Sequence, residues 1–189
     1  MRKSRSEAAE TRRRIVETAA VAFRGEGITG AGLSDVMAAA GLTHGGFYRH
    51  FDSKDQLAAE AFASAIGSVV DRMAAAASRA PAGEGFDAII ESYLSGSHRD
   101  RPATGCPLAA LGGEIARGDG ATRHAATAGL DHFVDVLAAQ LPEPQAPETR
   151  DRALGAVSTM VGSLILSRMV DDLDLSEGIL RQARRRILG

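Results

Sequence analysis

The stretch LSDVMAAAGLTHGGFYRHFDSK, residues 33–54, contains a helix, a glycine turn, a short second helix and the start of a third helix. Apolar residues recur at helical spacing from Leu33 to Ala40, and Gly41 follows where a tight turn between helices needs a residue without a Cβ. Phe47 and Phe51 are four residues apart, so the second helix is predicted to pack both rings on a small core. This order of elements is typical of a helix-turn-helix.

The outward face of the second helix is predicted to contact DNA, because it carries hydrogen-bond donors, an aromatic hydroxyl and a cation. Two glycines would let the helix approach a phosphate or a base edge, although each interior glycine costs about 1 kcal/mol relative to alanine. The alternative explanation is a weak helix that only Phe47 and Phe51 hold in place. Thr43 precedes the helix and is predicted to cap it. The predicted DNA-contacting residues are Thr43, His44, Gly45, Gly46, Tyr48, Arg49, His50 and Lys54.

Ser53 and Gln56 form the S-x-x-Q pattern of a capping box at the start of the next helix. The N-terminal amides of that helix, together with Lys54, could hold a phosphate of the DNA backbone. The helix is predicted to run from Lys54 toward Ser78, which is about 25 residues or about 37 Å. Because this length reaches from the DNA-contacting unit into a second domain, the helix is the predicted mechanical link.

These residues resemble the TetR family of bacterial one-component repressors over about Thr11 to Leu57. The pattern A-G-x-x-x-G-x-x-Y-x-H-F-x-S-K begins at Ala40, and further matches are Ile15, Phe23, Gly27, Val36, Phe47 and Leu57. Relatives usually carry Thr followed by Ser or Thr where this chain has Ala31 and Gly32, so a hydroxyl contact to phosphate is lost there. Gly46 also replaces a small residue that has a Cβ. The resemblance implies a DNA-binding head joined to a C-terminal domain that diverges with its inducer.

The composition favours a helical protein with one or two domains. The chain has 189 residues, of which 44% are hydrophobic and 4% aromatic, so close-packed alanine-rich helices can bury a core. No apolar run approaches the roughly 20 residues that a membrane span needs, and the N-terminus lacks the apolar region of a secretory signal. A single cysteine excludes an intramolecular disulfide and favours a cytoplasmic location. We therefore predict no membrane association.

Charge is distributed unevenly along a chain whose formal net charge is -2. Residues 1–54 contain nine Lys and Arg against six Asp and Glu, whereas the remainder contains thirteen against eighteen. Arg2, Lys3 and Arg5 form a basic arm that is predicted to lie in a minor groove or along phosphates. A solubilising tail is the alternative.

The rest of the chain is predicted to be helical, with breaks at PAGEG, HRDRPATG and PEPQAP and without strands or repeats. We predict an all-α fold of about nine helices in two domains. Residues 1–53 would form a three-helix helix-turn-helix DNA-binding domain with its basic arm, and residues 54–189 a helical effector-binding and dimerisation domain. The later predicted helices are Phe86–Ser97, Pro107–Arg117, Thr122–Leu141, Ala153–Val170 and a final helix that Asp174 and Glu177 would cap.

The last two predicted helices are candidates for a dimer interface. Small residues among the apolar ones of Ala153–Val170 allow close approach, and the apolar surface is wider than one core face needs. The family resemblance implies that the pair forms a four-helix bundle with a second copy. Dimerisation also follows from DNA reading, because one short helix reads too few bases for useful specificity, and a homodimer would bind a palindromic double-stranded operator. The alternative is that both helices complete the core of a monomer.

Cys106 precedes a helix that is predicted to begin at the next residue, a proline. The helix N-terminus and nearby Arg99 and Arg101 favour the thiolate, and electrophile or oxidant sensors use partly accessible thiols of low pKa. The pattern with Leu111 and Glu114 resembles the branch of the family that contains the N-ethylmaleimide-responsive repressor, which implies electrophile sensing. Ordinary lining of a ligand pocket and inert packing are the alternatives. The predicted effector-binding or sensing residues are Cys106, Tyr93, His98, Phe133 and Met160.

The leading hypothesis is a transcriptional repressor that a small-molecule or electrophilic inducer releases from its operator by tilting the helix that starts at Lys54. A thiol-dependent enzyme with Cys106 as nucleophile and His98 as base is one alternative, but no catalytic motif supports it, so we predict no enzymatic activity. A ligand-independent DNA-binding activator is the other alternative. We predict no cofactor and no metal site, because His98 and Cys106, like His124 and His132, are eight residues apart.

Overall fold

The protein, described by a computed structural model over residues 5–118 and 120–189, is built from helices throughout that part of the chain. The predicted all-α class is confirmed. The α-helices are α1 (Arg5–Glu26), α2 (Leu33–Ala39), α3 (Lys54–Arg79), α4 (Gly85–Tyr93), α5 (Gly96–Arg99), α6 (Pro107–Ile115), α7 (Gly120–Ala138), α8 (Pro147–Met169) and α9 (Leu173–Leu188). Two 3₁₀-helices lie between them: the reading helix, His44–Arg49, and the junction helix, Pro102–Thr104. Of the predicted basic arm, Arg2 and Lys3 lie outside the described residues, and Arg5 begins α1.

The helices α1 and α2 and the reading helix form a three-helix unit around a core that the sequence predicted. Phe47 and Phe51 are 0% and 2% exposed, and their rings stack with centroids 5.6 Å apart. Ile15 and Phe23 of α1 are buried in the same core. Gly41 has φ +73°, a left-handed conformation that a residue with a Cβ adopts at a penalty, which confirms its role in the turn after α2.

Helix α3 connects this unit to the rest of the molecule, as its predicted length required. It has 26 residues and packs on α1 at one end and on α4 and α7 along its length. At Gly129 of α7 an added Cβ would lie 2.6 Å from a methyl group of Ile66, so glycine is needed for this close approach of the two helices. Residues 54–189 form the body of the molecule. Its core is continuous with the core of the helix-turn-helix unit.

Two details of the helices that follow α3 differ from the sequence prediction. The segment predicted as one helix, Phe86–Ser97, is divided between α4 and α5, because the Ser95 hydroxyl accepts the His98 N–H and starts a new helix there. The predicted capping by Asp174 is also wrong. Asp172 is the N-cap of α9, and its carboxylate accepts the Leu175 N–H at 2.9 Å.

Within the described residues, no helix combines the length and the apolar character that crossing a bilayer requires. Large apolar side chains are nevertheless exposed along α8 and α9. The residues concerned are Leu154, Leu166, Met169, Leu173 and Leu175, which are between 43% and 72% exposed.

Candidate nucleic-acid interface and effector region

The reading helix is positioned by its buried ring and by a partner on α1. Phe47 anchors it on the inside, while Arg12 lies 4.3 Å over the Phe51 ring and donates through Nε to the His50 carbonyl at 3.3 Å. The Arg12 guanidinium also forms an ion pair with Glu60 of α3. Arg12 thus fixes the end of the reading helix against both long helices. No local pattern predicts this role, because Arg12 lies 38 to 48 residues from its partners along the chain.

The outer face of the reading helix is open to solvent. Tyr48 is 67% exposed, with its ring edge-on to Phe47 at 5.1 Å, and the exposed Arg49 side chain donates no hydrogen bond to a described residue. The exposed His44 ring lies with Nδ1 3.3 Å from the Ser34 hydroxyl of α2. A phenol, a guanidinium and an imidazole therefore extend from one short helix, which is the set of groups that base and phosphate recognition uses.

The two glycines of the reading helix have room for a side chain within the protein. A Cβ at Gly45 would meet nothing within 4 Å, and one at Gly46 would meet Met37 at 3.7 Å, an ordinary contact. Packing inside the protein therefore does not explain these glycines.

Two of the predicted DNA-contacting residues behave differently from expectation. Thr43 is at the N-cap of the reading helix, but its side chain makes no capping hydrogen bond, because the helix is a tight 3₁₀ turn in which Gly46 bonds to the Thr43 carbonyl instead. Lys54 does not extend outward. Its ammonium donates to the Ala31 carbonyl at 2.7 Å and lies 5.9 Å over the Phe23 ring, so it ties α3 to α1.

The predicted capping box at the start of α3 is confirmed in a shifted form. The Ser53 hydroxyl accepts the Gln56 N–H at 3.0 Å, and the Gln56 side chain accepts the N–H of Asp52, one residue earlier than the usual pattern, at 2.7 Å. Both bonds hold the chain between the reading helix and α3 in one conformation.

Four of the predicted effector residues, Tyr93, His98, Cys106 and Phe133, are neighbours in a packed interior. Tyr93, Cys106, Phe133 and Met160 are all 0% exposed and belong to one hydrophobic core. The Tyr93 ring lies 5.7 Å from the Phe133 ring and 4.6 Å from the His98 ring, which it meets edge-on. The Tyr93 hydroxyl is buried beside the Cys106 thiol without a well-formed hydrogen bond.

The structure does not form the accessible, low-pKa thiol that the sensor interpretation of Cys106 requires. Cys106 is the N-cap of α6 as predicted, but burial raises the pKa of its thiol, and the Tyr93 hydroxyl and the backbone N–H groups of Ala109 and Leu108 offset this only in part. Desolvation of the anion outweighs the helix N-terminus here, because the thiol has no solvent contact.

The His98 ring of α5 joins the end of α4 to the start of α6 through two hydrogen bonds. Its Nε2 accepts the Cys106 N–H at 3.0 Å, so the ring proton is on Nδ1 and is donated to the Tyr93 carbonyl at 2.7 Å. Burial lowers the pKa of His98 to about 4, with smaller contributions from the charges of Arg168 and Arg72 and against the bond to the Tyr93 carbonyl, which raises it. The ring is neutral and both nitrogens are occupied, so the structure does not form a Cys106–His98 catalytic pair.

Three arginines that the sequence did not single out converge on α5 and the segment that follows it, residues 96–106. Arg24 of α1 donates to the Gly105 carbonyl at 2.9 Å, and Arg72 of α3 donates to the Thr104 carbonyl at 3.0 Å. Arg168 of α8 donates to the carbonyls of His98 and Arg99 at 2.8 and 3.0 Å. Residues 98–105 are therefore bonded to α1, α3 and α8 at once.

Glu114 makes a second link between the body and the helix-turn-helix unit. From α6 its carboxylate accepts the N–H groups of Ile28 and Thr29 at 3.1 and 3.0 Å, together with the Thr29 hydroxyl at 3.2 Å. The preceding Gly27 has φ +83°, and a Cβ there would lie 2.7 Å from the Glu114 carboxylate. The Glu114 side chain thus holds the loop between α1 and α2 in one conformation.

Comparisons with known proteins agree with this architecture. The family model described as bacterial regulatory proteins, tetR family, matches residues 15–61. An uncharacterized HTH-type transcriptional regulator of Mycobacterium tuberculosis (strain ATCC 25618 / H37Rv) is 30% identical over 186 residues, which cover 94% of each chain. A probable acrEF/envCD operon repressor of Escherichia coli (strain K12) is 38% identical over 56 residues, which cover 30% of this chain and 26% of that protein.

Solved structures show the same fold. A TetR transcriptional regulator from Chloroflexus aurantiacus superposes with a TM-score of 0.78 at 28% identity, covering 97% of this chain and 96% of its own. The reduced form of NemR from E. coli superposes with a TM-score of 0.80 at 18% identity, covering 94% and 95%. At that identity the likeness to NemR concerns the fold.

Proposed function

Because this chain belongs to the TetR family and is a DNA-binding transcriptional regulator, we propose that it is a homodimeric repressor that a non-covalently bound small molecule releases from a palindromic operator. Residues 1–53 would bind the DNA, and residues 54–189 would bind the effector and dimerise. The observation that carries the proposal is the open outer face of the reading helix, held rigidly from inside by Phe47 and from α1 by Arg12.

The DNA contacts of the proposal are those side chains that the structure leaves exposed. His44, Tyr48 and Arg49 would reach base edges and phosphates, while Gly45 and Gly46 would let the backbone of the reading helix lie close to the DNA. Lys54 would support this surface from inside through its bond to the Ala31 carbonyl.

The exposed apolar residues of α8 and α9 support dimerisation through these two helices. Met169 is 72% exposed and Leu173 is 60% exposed, next to each other where α8 ends and α9 begins. Large exposed apolar patches mark interaction sites, because leaving them in water forfeits the free energy of burial. Two copies joined here would present two reading helices to half-sites about 34–36 Å apart on one face of the DNA.

The buried state of the predicted effector residues favours a non-covalent ligand over an electrophile. A ligand entering between Tyr93 and Phe133 would separate packed rings and would give the Tyr93 hydroxyl a hydrogen-bond partner. The resulting shift would reach the DNA-contacting unit through α3 and through Glu114, and would change the separation of the two reading helices. Coupling free energies of this kind are typically about 1–3 kcal/mol.

The test is fluorescence anisotropy of the purified protein on DNA from upstream of its own gene. We expect tight binding with a stoichiometry of one dimer per operator. The variant Met169→Glu should be monomeric in analytical ultracentrifugation and should lose operator binding, whereas Val21→Glu, a change at an exposed apolar residue of α1, should remain dimeric. A monomeric wild type that binds the operator with full affinity would contradict the proposal.

Treatment with N-ethylmaleimide separates the two kinds of inducer. We expect operator binding by the native protein to survive the reagent, because Cys106 is 0% exposed and its thiol pKa is raised by burial. Loss of binding in the wild type but not in Cys106→Ser would instead show an electrophile-sensing repressor.

A further inference from the structure

Glu60 lies on the second turn of α3 and binds the guanidinium of Arg12, which comes from α1. The pair is bidentate, because Arg12 Nη2 donates to Glu60 Oε1 at 2.7 Å while Nη1 donates to Oε2. Both side chains are partly buried at the edge of the helix-turn-helix unit. Parallel hydrogen bonds of this kind fix the geometry of the two planar groups as well as pairing their charges.

The third nitrogen of the same guanidinium is bonded to the end of the reading helix. Arg12 Nε donates at 3.3 Å to the carbonyl of His50, the residue that caps the reading helix at its C-terminal end. The guanidinium carbon also lies 4.3 Å from the centroid of the Phe51 ring, so it covers the core residue that follows. Glu60 is thus connected to the reading helix through Arg12.

The arrangement leaves the Arg12 guanidinium one orientation. Each of its three nitrogens donates within the chain, and rotation would break either the bidentate pair or the bond to His50. Glu60 balances its charge, and the Asp52 carboxylate adds a second negative charge nearby. The contacts therefore fix the angle between the reading helix and α3.

We propose that Glu60 is a positioning residue for DNA binding, which acts through Arg12 and sets the orientation of the reading helix relative to α3. The inference rests on the proposed function in one respect, namely that the reading helix contacts the DNA. Without Glu60 the reading helix would sample several orientations, and Tyr48 and Arg49 would be within reach of their DNA contacts less often. Affinity would then fall while the fold persists, because binding surfaces lose affinity when their supporting contacts are loosened.

The sign of the effect separates this role from simple electrostatics. DNA is a polyanion, so removal of a carboxylate close to its binding surface should strengthen binding if only charge matters. Removal of a positioning carboxylate should weaken binding instead, because Arg12 loses the partner that orients it. The two explanations therefore predict opposite changes in affinity for Glu60→Gln.

The experiment is fluorescence anisotropy of the full-length protein on DNA from upstream of its own gene, with wild type, Glu60→Gln, Arg12→Gln and the double variant. We expect Glu60→Gln to weaken binding about ten-fold, which is within the range of couplings in one hydrogen-bonded network. The double variant should bind no more weakly than Arg12→Gln alone, because the two residues act as a unit. Asp71→Asn, at an exposed residue further along α3, is the matched control and should bind at least as tightly as the wild type.

Urea unfolding of each variant checks that every protein in the titration is folded. Binding by Glu60→Gln that equals or exceeds that of the wild type would overturn the proposal. Single losses of binding free energy that add up in the double variant would also overturn it, because Arg12 would then contact the DNA independently of Glu60.

Tyr48→Ala on the same DNA tests the premise separately. Wild-type affinity in Tyr48→Ala would count against the reading helix as the DNA contact, and so against the proposed function. Weakened binding in Tyr48→Ala together with wild-type affinity in Glu60→Gln would overturn the positioning role alone.

Discussion

The helix-turn-helix unit of residues 5–53 exposes its candidate functional side chains, whereas the body that follows buries its own. Tyr48 of the reading helix is 67% exposed, and the side chain of Arg49 beside it has no hydrogen bond to a described residue. In the body Tyr93 and Cys106 are 0% exposed, and His98 has both nitrogens occupied. The same chain thus exposes one candidate site and buries the other.

This difference follows from what each site has to contact. DNA is a large, charged surface that a preformed helix can meet as a rigid body, so exposure and a firm base are sufficient. A small apolar effector gains binding free energy from leaving water, so its site is lined by side chains that pack on one another when it is absent. Exposed groups in the unit and buried groups in the body are therefore both compatible with function.

The largest effect we expect is a loss of free energy of unfolding at acidic pH, and its origin is in the body, not in the reading helix. His98 has its pKa lowered to about 4 from 6.5, so the unfolded chain binds its proton first and the folded state loses stability as pH falls from 6.5 toward 4. The full effect is about 3 kcal/mol. Protonation would also place a donor on Nε2 opposite the Cys106 N–H.

Urea unfolding at pH 7, 5.5 and 4.5, at one fixed protein concentration, measures this effect in the wild type and in His98→Gln. The variant should lose less free energy of unfolding on acidification, because glutamine does not titrate. His132→Gln, at an exposed histidine of α7, is the matched control and should follow the wild type. Parallel pH profiles for all three proteins would show that His98 is not the acid-sensitive group.

Removal of an exposed reading side chain should change DNA affinity without changing stability. Tyr48→Ala deletes a ring with 67% exposure, so the free energy of unfolding should remain within about 0.5 kcal/mol of the wild type. Loss of its DNA contacts should weaken operator binding by about 2 kcal/mol, or about 30-fold. Anisotropy titration measures the affinity, and Tyr48→Phe separates the hydroxyl from the ring. Unchanged operator affinity in Tyr48→Ala would remove this residue from the interface.

The link between the two regions should give the smallest effect. Glu114→Gln replaces a carboxylate that accepts two backbone N–H groups, so the amides of Ile28 and Thr29 should exchange with solvent faster. A loss of about 1 kcal/mol corresponds to about five-fold faster exchange. Hydrogen-exchange mass spectrometry on peptides covering residues 24–33 measures it, with Glu17→Gln, at an exposed residue of α1, as control. Equal exchange in all three proteins would show that Glu114 does not hold this loop.

Local patterns in the sequence were sufficient for the helix-turn-helix unit. Phe47 and Phe51 at helical spacing predicted its core, Gly41 predicted its turn, and Ser53 predicted the start of α3. Local patterns did not predict the position of the Lys54 ammonium, because its bond to the Ala31 carbonyl joins residues that are 23 positions apart. A lysine whose sequence position suggests a DNA contact can instead be hydrogen-bonded to a distant carbonyl of the same chain.

The body was less predictable because its contacts are long-range. Cys106 was correctly placed before a helix, yet burial on all sides decided its pKa in the opposite direction to the helix N-terminus. The partners of Arg24, Arg72 and Arg168 lie 81, 32 and 70 residues away along the chain, and no periodicity in the sequence encodes such distances.

The sequence by itself determined the all-helical class, the helix-turn-helix and the identity of the groups on the reading helix, because helical spacing, turn glycines and caps act over a few residues. The tertiary structure alone decided which charged and polar side chains stay free: Tyr48 and Arg49 remain exposed, whereas Lys54 and His98 are bonded within the chain. The physical reason is that solvation and hydrogen bonding of a side chain depend on every element packed around it, and these elements are brought together only by the complete fold.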